Sequence, residues 1–200
     1  TLSPSSAASD VYKRQVQRVC RPDHTFRGFQ GQIESGEVKV GDEIVTLPSN
    51  ERAHIKSILV GDKDSQSAFM GQPVTLQLDK EVDVSRGCVI ASGNNLPISK
   101  SFTATILWMD DEELTPGTDY LVKLGTKQIP GILKNIQYKI DVNTGEFIPA
   151  GQLKKNEIAV CDLDLQEPVV IDEFKKHKTL GELILIDRIS NMTSACGVVE

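Results

Sequence analysis

From Val16 onward the chain alternates short runs rich in Val, Ile, Thr and Phe with Gly, Asn, Asp or Pro every 8–12 residues, which is the punctuation of an all-β fold. The first half predicts strands at 16–20, 27–33, 43–47, 52–60, 73–78 and 88–91, with turns at 35–36, 41–42, 48–50 and 61–64. Short strands of this kind suit a small barrel, because closure removes the exposed edges that would pair with other chains.

The stretch Ser92-Gly93-Asn94-Asn95-Leu96-Pro97 is poor in strand formers and marks a linker. Beyond it Phe102, Ala104, Ile106 and Trp108 alternate with Ser101, Thr103, Thr105 and Leu107. That period of two puts one set on a buried face. Further strands are predicted at 119–124, 128–142, 157–165, 169–171 and 182–189, with a turn at 143–145 splitting off 146–148. Only 172–178 reads as a helical turn. The expected architecture is all-β: two antiparallel β-barrels, at 16–95 and 96–200.

Residues 1–15, with four Ser and one Pro, lack the continuous apolar core of a signal peptide and read as vector- or adapter-derived sequence that packs against nothing. The native sequence is then expected to begin near Val16. Of the 200 residues, 39% are hydrophobic and 25% charged, a globular composition. No apolar run approaches the ~18 residues that span a bilayer as a helix. The net charge of −6 is the wrong sign for affinity built on neutralising phosphates, so neither a membrane nor nucleic acid is expected as a partner. Cys20, Cys88, Cys161 and Cys196 lie 68, 73 and 35 residues apart, leaving no CxxC pair to seed a zinc or redox site. They read as reduced thiols of a cytoplasmic chain, with a hidden disulfide or a reactive thiol as the alternative.

The candidate motifs each have a plainer reading. Gly36-Glu37-Val38-Lys39-Val40-Gly41 opens like a phosphate loop, but Asp42 and Glu43 stand where Lys and a hydroxyl are required; a hairpin between two strands, with Gly36 and Gly41 at positive φ, accounts for it. Asp141-x-Asn143-x-Gly145 begins like a calcium loop, yet Glu146 replaces the Gly at its sixth position and Gln152 the Glu at its twelfth, so it is expected to be a turn. His24, His54 and His177 are scattered and read as solvated or structural, with Lys175-Lys176-His177-Lys178 retained as an anion or partner contact. Asp110-Asp111-Glu112-Glu113 reads as a solvated loop or as a surface for a basic partner. Asn191-Met192-Thr193 matches the short glycosylation pattern. No catalytic, cofactor-binding or metal-binding residue is assigned.

Longer segments carry a resemblance. Phe26-Arg27-Gly28-Phe29-Gln30-Gly31-Gln32-Ile33-Glu34-Ser35-Gly36-Glu37-Val38-Lys39-Val40-Gly41-Asp42, then Ala68-Phe69-Met70-Gly71-Gln72-Pro73-Val74-Thr75-Leu76-Gln77-Leu78 and Val82-Asp83-Val84-Ser85-Arg86-Gly87-Cys88-Val89-Ile90, are similar to the second, barrel domain of translational GTPases such as elongation factor Tu. The sharper resemblance is to the family of sulfate adenylyltransferase subunit 1, the large, GTPase-bearing subunit. It extends through Phe102-x-Ala104-x-Ile106-x-Trp108-Met109, Pro116-Gly117, Tyr120, Asp141-Val142-Asn143-Thr144, Leu153-x-x-Asn156-Glu157-Ile158 and Leu185-Ile186-Asp187-Arg188-Ile189. Cys196 departs from the family's smaller residue, which touches packing only.

The resemblance implies domains two and three of a three-domain subunit. The family forms adenosine 5′-phosphosulfate from ATP and sulfate, with adenylyl transfer on a separate small subunit and GTP hydrolysis on the large one. GTP and Mg are expected on the N-terminal GTPase domain, whose GxxxxGK[ST], DxxG and NKxD motifs have no counterpart here. The small subunit and that GTPase domain are the expected partners, and the barrels are expected to act as an inactive scaffold and lever. Two readings stand beside it: an elongation-factor-like RNA-binding barrel, and a free-standing barrel with its own small-molecule pocket.

Overall fold

The computed structural model describes residues 13–22, 26–93 and 96–200, and the chain divides into two compact units, Thr1–Asn95 and Leu96–Glu200. In the first unit the strands are β1 (Lys13–Gln15), β2 (Arg18–Cys20), β3 (Gly28–Gln32), β4 (Glu37–Lys39), β5 (Glu43–Leu47), β6 (Glu51–Val60), β7 (Lys63–Ser65), β8 (Ser67–Phe69), β9 (Pro73–Leu78) and β10 (Val89–Ala91). All pairings are antiparallel, in the order β1-β10-β5-β6-β9-β3-β2, with β7 on β6. The two ends of this sheet are successive pieces of one stretch. At the changeover the Val16 N–H donates to Cys88 O and the Gln17 N–H to Gln30 O, both at 2.8 Å. The stretch thus leaves one neighbour for the other and wraps the sheet round a core of Val16, Phe29, Ile33, Ile44, Ile55, Ile58, Leu76 and Ile90.

Two expectations fail in this unit. Residues 1–15 were expected to pack against nothing, yet Lys13–Gln15 form β1, with Arg14 opposite Ile90, and both Arg14 and Gln15 are buried. Ladder bonds use backbone groups that every residue carries, and the Arg14 guanidinium donates to the carbonyl of Val74 at 2.9 Å and to that of Phe29. Low hydrophobicity therefore did not forbid burial. Gly31 makes room, since a Cβ there would lie 2.5 Å from Gln15 O. The rest of that N-terminal segment, residues 1–12, lies outside the described residues. The second failure is the hairpin read at 36–41: Gly36 and Gly41 do take positive φ, 72° and 93°, but β4 pairs with β8 in a separate two-stranded ribbon.

The second unit contains β11 (Ile98–Trp108), β12 (Asp119–Leu124), β13 (Lys127–Ile140), β14 (Phe147–Ile148), β15 (Ile158–Val170), a four-residue helix α1 (Lys178–Gly181), β16 (Glu182–Asp187) and β17 (Thr193–Val199). The order β12-β16-β17-β11-β15-β13 closes because β13 also pairs with β12, giving a six-stranded antiparallel barrel with β14 appended to β13. The alternation read at 102–108 holds: Ala104, Ile106 and Trp108 are buried, joined inside by Leu133, Leu163 and Leu185. Trp108 meets Tyr120 edge to face, ring centroids 5.9 Å apart. Three details differ from the sequence reading. The runs at 157–165 and 169–171 are one strand; the helical turn expected at 172–178 is a tight turn, with α1 following it; and β17 was not read as a strand at all.

Candidate functional site

The loop that imitates a phosphate cradle is closed on itself. Asp42 Oδ2 accepts the Lys39 N–H at 2.7 Å, so a carboxylate fills the space a phosphate would need. The calcium-like segment is likewise a turn: Asp141 Oδ1 accepts the N–H groups of Asn143 at 2.8 Å and Thr144 at 3.2 Å, Gly145 has φ 76°, and β13 and β14 pair across it. Those backbone donors hold the Asp141 carboxyl below its ordinary range. Among the described residues no group of three or more His, Cys, Asp or Glu is placed to hold a metal ion.

His24 lies outside the described residues. His54, exposed on β6, has Nδ1 3.1 Å from Asp79 Oδ2, and Asp79 Oδ1 accepts the His54 backbone N–H at 2.9 Å. His177 Nδ1 lies 2.7 Å from Asp172 Oδ2, where the pair pins the turn before α1. The neighbouring Lys176 is tied to Glu173 at 2.6 Å. The first contact ties β6 to the residue after β9, and the second positions the turn before α1.

The acidic segment is more structured than a solvated loop. The Trp108 indole N–H donates to the Glu112 carbonyl at 2.7 Å, and the Ser194 hydroxyl donates to Asp110 Oδ2 at 2.8 Å. That hydroxyl, first, and then the backbone N–H groups of Glu112 and Asp111 hold the Asp110 carboxyl low. Lys155 pairs with Asp111 at 2.6 Å and Lys154 stands 3.8 Å from Glu113, so lysines of this chain already face two of the four acids. The Asn191-Met192-Thr193 match falls in the β16–β17 turn, where Asp187 Oδ1 accepts the N–H groups of Ile189 at 3.0 Å and Ser190 at 2.6 Å. All four cysteines are free thiols, and burial pushes the Cys161 thiol up to about 12, which makes it a packing residue.

What the second unit offers is surface. On the outer side of β11, β12, β16 and β17 lies a groove of about 530 Å³ lined by Leu107, Phe174, Ile184, Cys196 and Val198, with Lys123 and Glu182 in the lining. The outer side of β11, β15 and β13 is polar instead: Asp162 accepts from Thr103 Oγ1 at 2.9 Å and Gln137 Nε2 at 2.7 Å, and Asp164 pairs with Lys134 at 2.8 Å. Among the described residues, neither wall brings a nucleophile, a base and an orienting group into hydrogen-bond reach of one another.

Six strands closed into one barrel in the second unit, and a sheet wrapped round its own core in the first, define the class. The profile of the family described as GTP-eEF1A C-terminal domain-like matches residues 101–200, and the chain belongs to that family. Among curated proteins it is similar to sulfate adenylyltransferase subunit 1 of Shewanella woodyi, 41% identical over 201 residues, covering 100% of this chain and 43% of that protein. It is similar also to the subunits of the same name from Teredinibacter turnerae, 40% identical over 97% of this chain and 42% of that protein, and Francisella tularensis subsp. novicida, 40% identical over 100% and 43%. The chain thus spans less than half the length of these relatives. Among solved structures, sup35 complexed with GDP superposes with a TM-score of 0.86 at 22% identity, over 94% of this chain and 47% of that one, which bears on the fold. Among the described residues no helix is long and apolar enough to cross a membrane.

Proposed function

We propose that these two barrels are the non-catalytic scaffold and coupling part of a GTP-dependent sulfate adenylyltransferase large subunit, which works with a small subunit to form adenosine 5′-phosphosulfate from ATP and sulfate. The observation that carries this reading is the pairing of similarity to subunit 1 over nearly the whole of this chain, at 40–41% identity, with candidate motifs that fold into turns. GTP and Mg belong, on this reading, to the part of the subunit outside this segment. The physical requirement on a coupling element is stiffness, and a closed, densely packed barrel resists bending and offers no free edge. A change of nucleotide state can then be passed on as movement of a rigid body.

The RNA-binding alternative has less support. A stacking platform needs exposed aromatic rings beside cations, whereas Phe29, Trp108 and Tyr120 lie in the cores, the exposed Phe147 ring leans on Tyr138 at an angle of 47° with centroids 4.7 Å apart, and the chain carries a net charge of −6.

The test is a chimera in which this chain replaces the matching segment of the Shewanella woodyi subunit, assayed with the small subunit. It is expected to hydrolyse GTP and to show GTP-driven adenylylsulfate formation, while the same chimera with Trp108→Ala retains hydrolysis and loses most of the GTP-driven yield. Coupling that survives deletion of the whole segment contradicts the proposal.

A further inference from the structure

We propose that the first unit carries an oxyanion site, a concavity of about 210 Å³ where the start of β3 and the end of β9 meet the middle of β6, built by Arg21, Arg27, Lys56 and Lys80. The residues come from four places in the chain. Arg21 follows β2, Arg27 precedes β3, and Lys80 follows β9. Lys56 sits where the β6–β9 register slips, Ile55 facing Leu78 and Ser57 facing Gln77, and a bulge of this kind re-aims the side chain it carries.

The charges there are unevenly matched. Glu81 is engaged by Arg21, and Asp79 holds both the backbone N–H and the ring of His54. Among the described residues Arg27, Lys56 and Lys80 have no carboxylate within ion-pair distance. Arg27 is nonetheless fixed: its guanidinium lies 5.2 Å from the Phe29 ring centroid and donates to the Val84 carbonyl at 3.3 Å. A held guanidinium with donors left over is the usual cradle for a planar or tetrahedral oxyanion.

The four cations of the lining stand against two carboxylates, Asp79 and Glu81, and the excess of two positive charges selects for a group bearing more than one negative charge, since a single carboxylate would leave one of them uncompensated. The ligand is therefore a phosphate- or sulfate-type oxyanion, either free or at the end of a larger molecule that remains in solvent.

The probe is inorganic diphosphate, titrated into the whole chain at low salt with backbone amide NMR as readout. Saturable shifts are expected at Phe29, Ser57, Gln77 and Lys80, with affinity falling as salt rises. Arg27→Gln and Lys56→Gln should each weaken binding by about tenfold, and Lys134→Gln in the second unit should leave it unchanged. Lys56 is an exposed residue, so its variant keeps the fold and the test stands even if Arg27→Gln disturbs the strand. Equal affinity for diphosphate and a nucleoside 5′-diphosphate assigns the site to the free anion, and a gain of about tenfold with the nucleotide assigns it to a nucleotide's phosphates. Shifts that never saturate, shifts indifferent to Lys56→Gln, or binding of a 5′-phosphorylated oligoribonucleotide without binding of diphosphate would overturn it.

Discussion

The two units close their sheets by different means. In the second, every strand of the six-membered ring is hydrogen-bonded to the next. In the first, closure depends on residues 13–20 pairing with β10 at one end and β3 at the other. A ladder shares its load across many backbone bonds, whereas a strand that changes partners concentrates it at one changeover. The cores differ too. Trp108 and Tyr120 fill the second barrel, while among the described residues Phe29 is the one aromatic residue in an otherwise mainly aliphatic first core. Each unit is therefore expected to have its own point of failure.

The largest expected effect is on the aromatic core. Trp108→Ala should destabilise the second unit by about 3–5 kcal/mol and leave the first unit's amide protection in place, as hydrogen exchange resolved by residue would show. Equal loss in both units would mean that they unfold as one body.

Gly31→Ala is the matching blow to the first unit. The added Cβ would meet Gln15 O at 2.5 Å, displacing β1 at a cost of about 1–3 kcal/mol, with protection lost first at Val89–Ala91. Unchanged protection there would show that the changeover does not hold the barrel shut. In the second unit Ser194→Ala removes the hydroxyl donor from Asp110 and should cost about 1 kcal/mol, while a carbon-detected titration finds the Asp110 carboxyl shifted back up toward its ordinary range.

Acid should separate the units as well. Asp110, Asp141, Glu157, Asp164 and Asp187, all in the second unit, are held below their ordinary values, first by Ser194, the Asn143 N–H, Lys139, Lys134 and the Ser190 N–H respectively. In the first, Asp79 is lowered, chiefly by the His54 N–H. A depressed carboxylate takes up its proton more readily in the unfolded chain, so its contribution is present above the unfolded value near ~4 and is lost as pH falls through the folded one. The second unit should accordingly lose more stability below about pH 4, read from unit-specific melting between pH 5 and 2. An equal loss in both would mean that these bonds are not held in solution.

The strand pattern was legible wherever side chains alternate strongly, as at 102–108 and 119–124, because burial on one face leaves a period of two. It failed where backbone geometry outweighs side-chain preference. β17 is built on Ser194, Ala195, Cys196 and Gly197, small residues with little strand preference, and Gly197 is required there since a Cβ would lie 2.7 Å from Thr105 O. β1 failed for the opposite reason, its polar residues being buried through bonds that composition does not reveal. The calcium-like motif at Asp141–Gly145 was legible as a turn, because the missing ligands were visible in order along the chain. The basic concavity was not visible: Arg21, Arg27, Lys56 and Lys80 are separated by up to 59 residues and meet only once β2, β3, β6 and β9 are side by side.

The central claim, that these barrels transmit rather than catalyse, is tested most directly by incubating the purified chain with GTP and Mg, and separately with ATP and sulfate, and measuring phosphate and adenylylsulfate released. No turnover above the protein-free reaction is expected in either mixture. Saturable release that scales with the concentration of the chain would contradict the account.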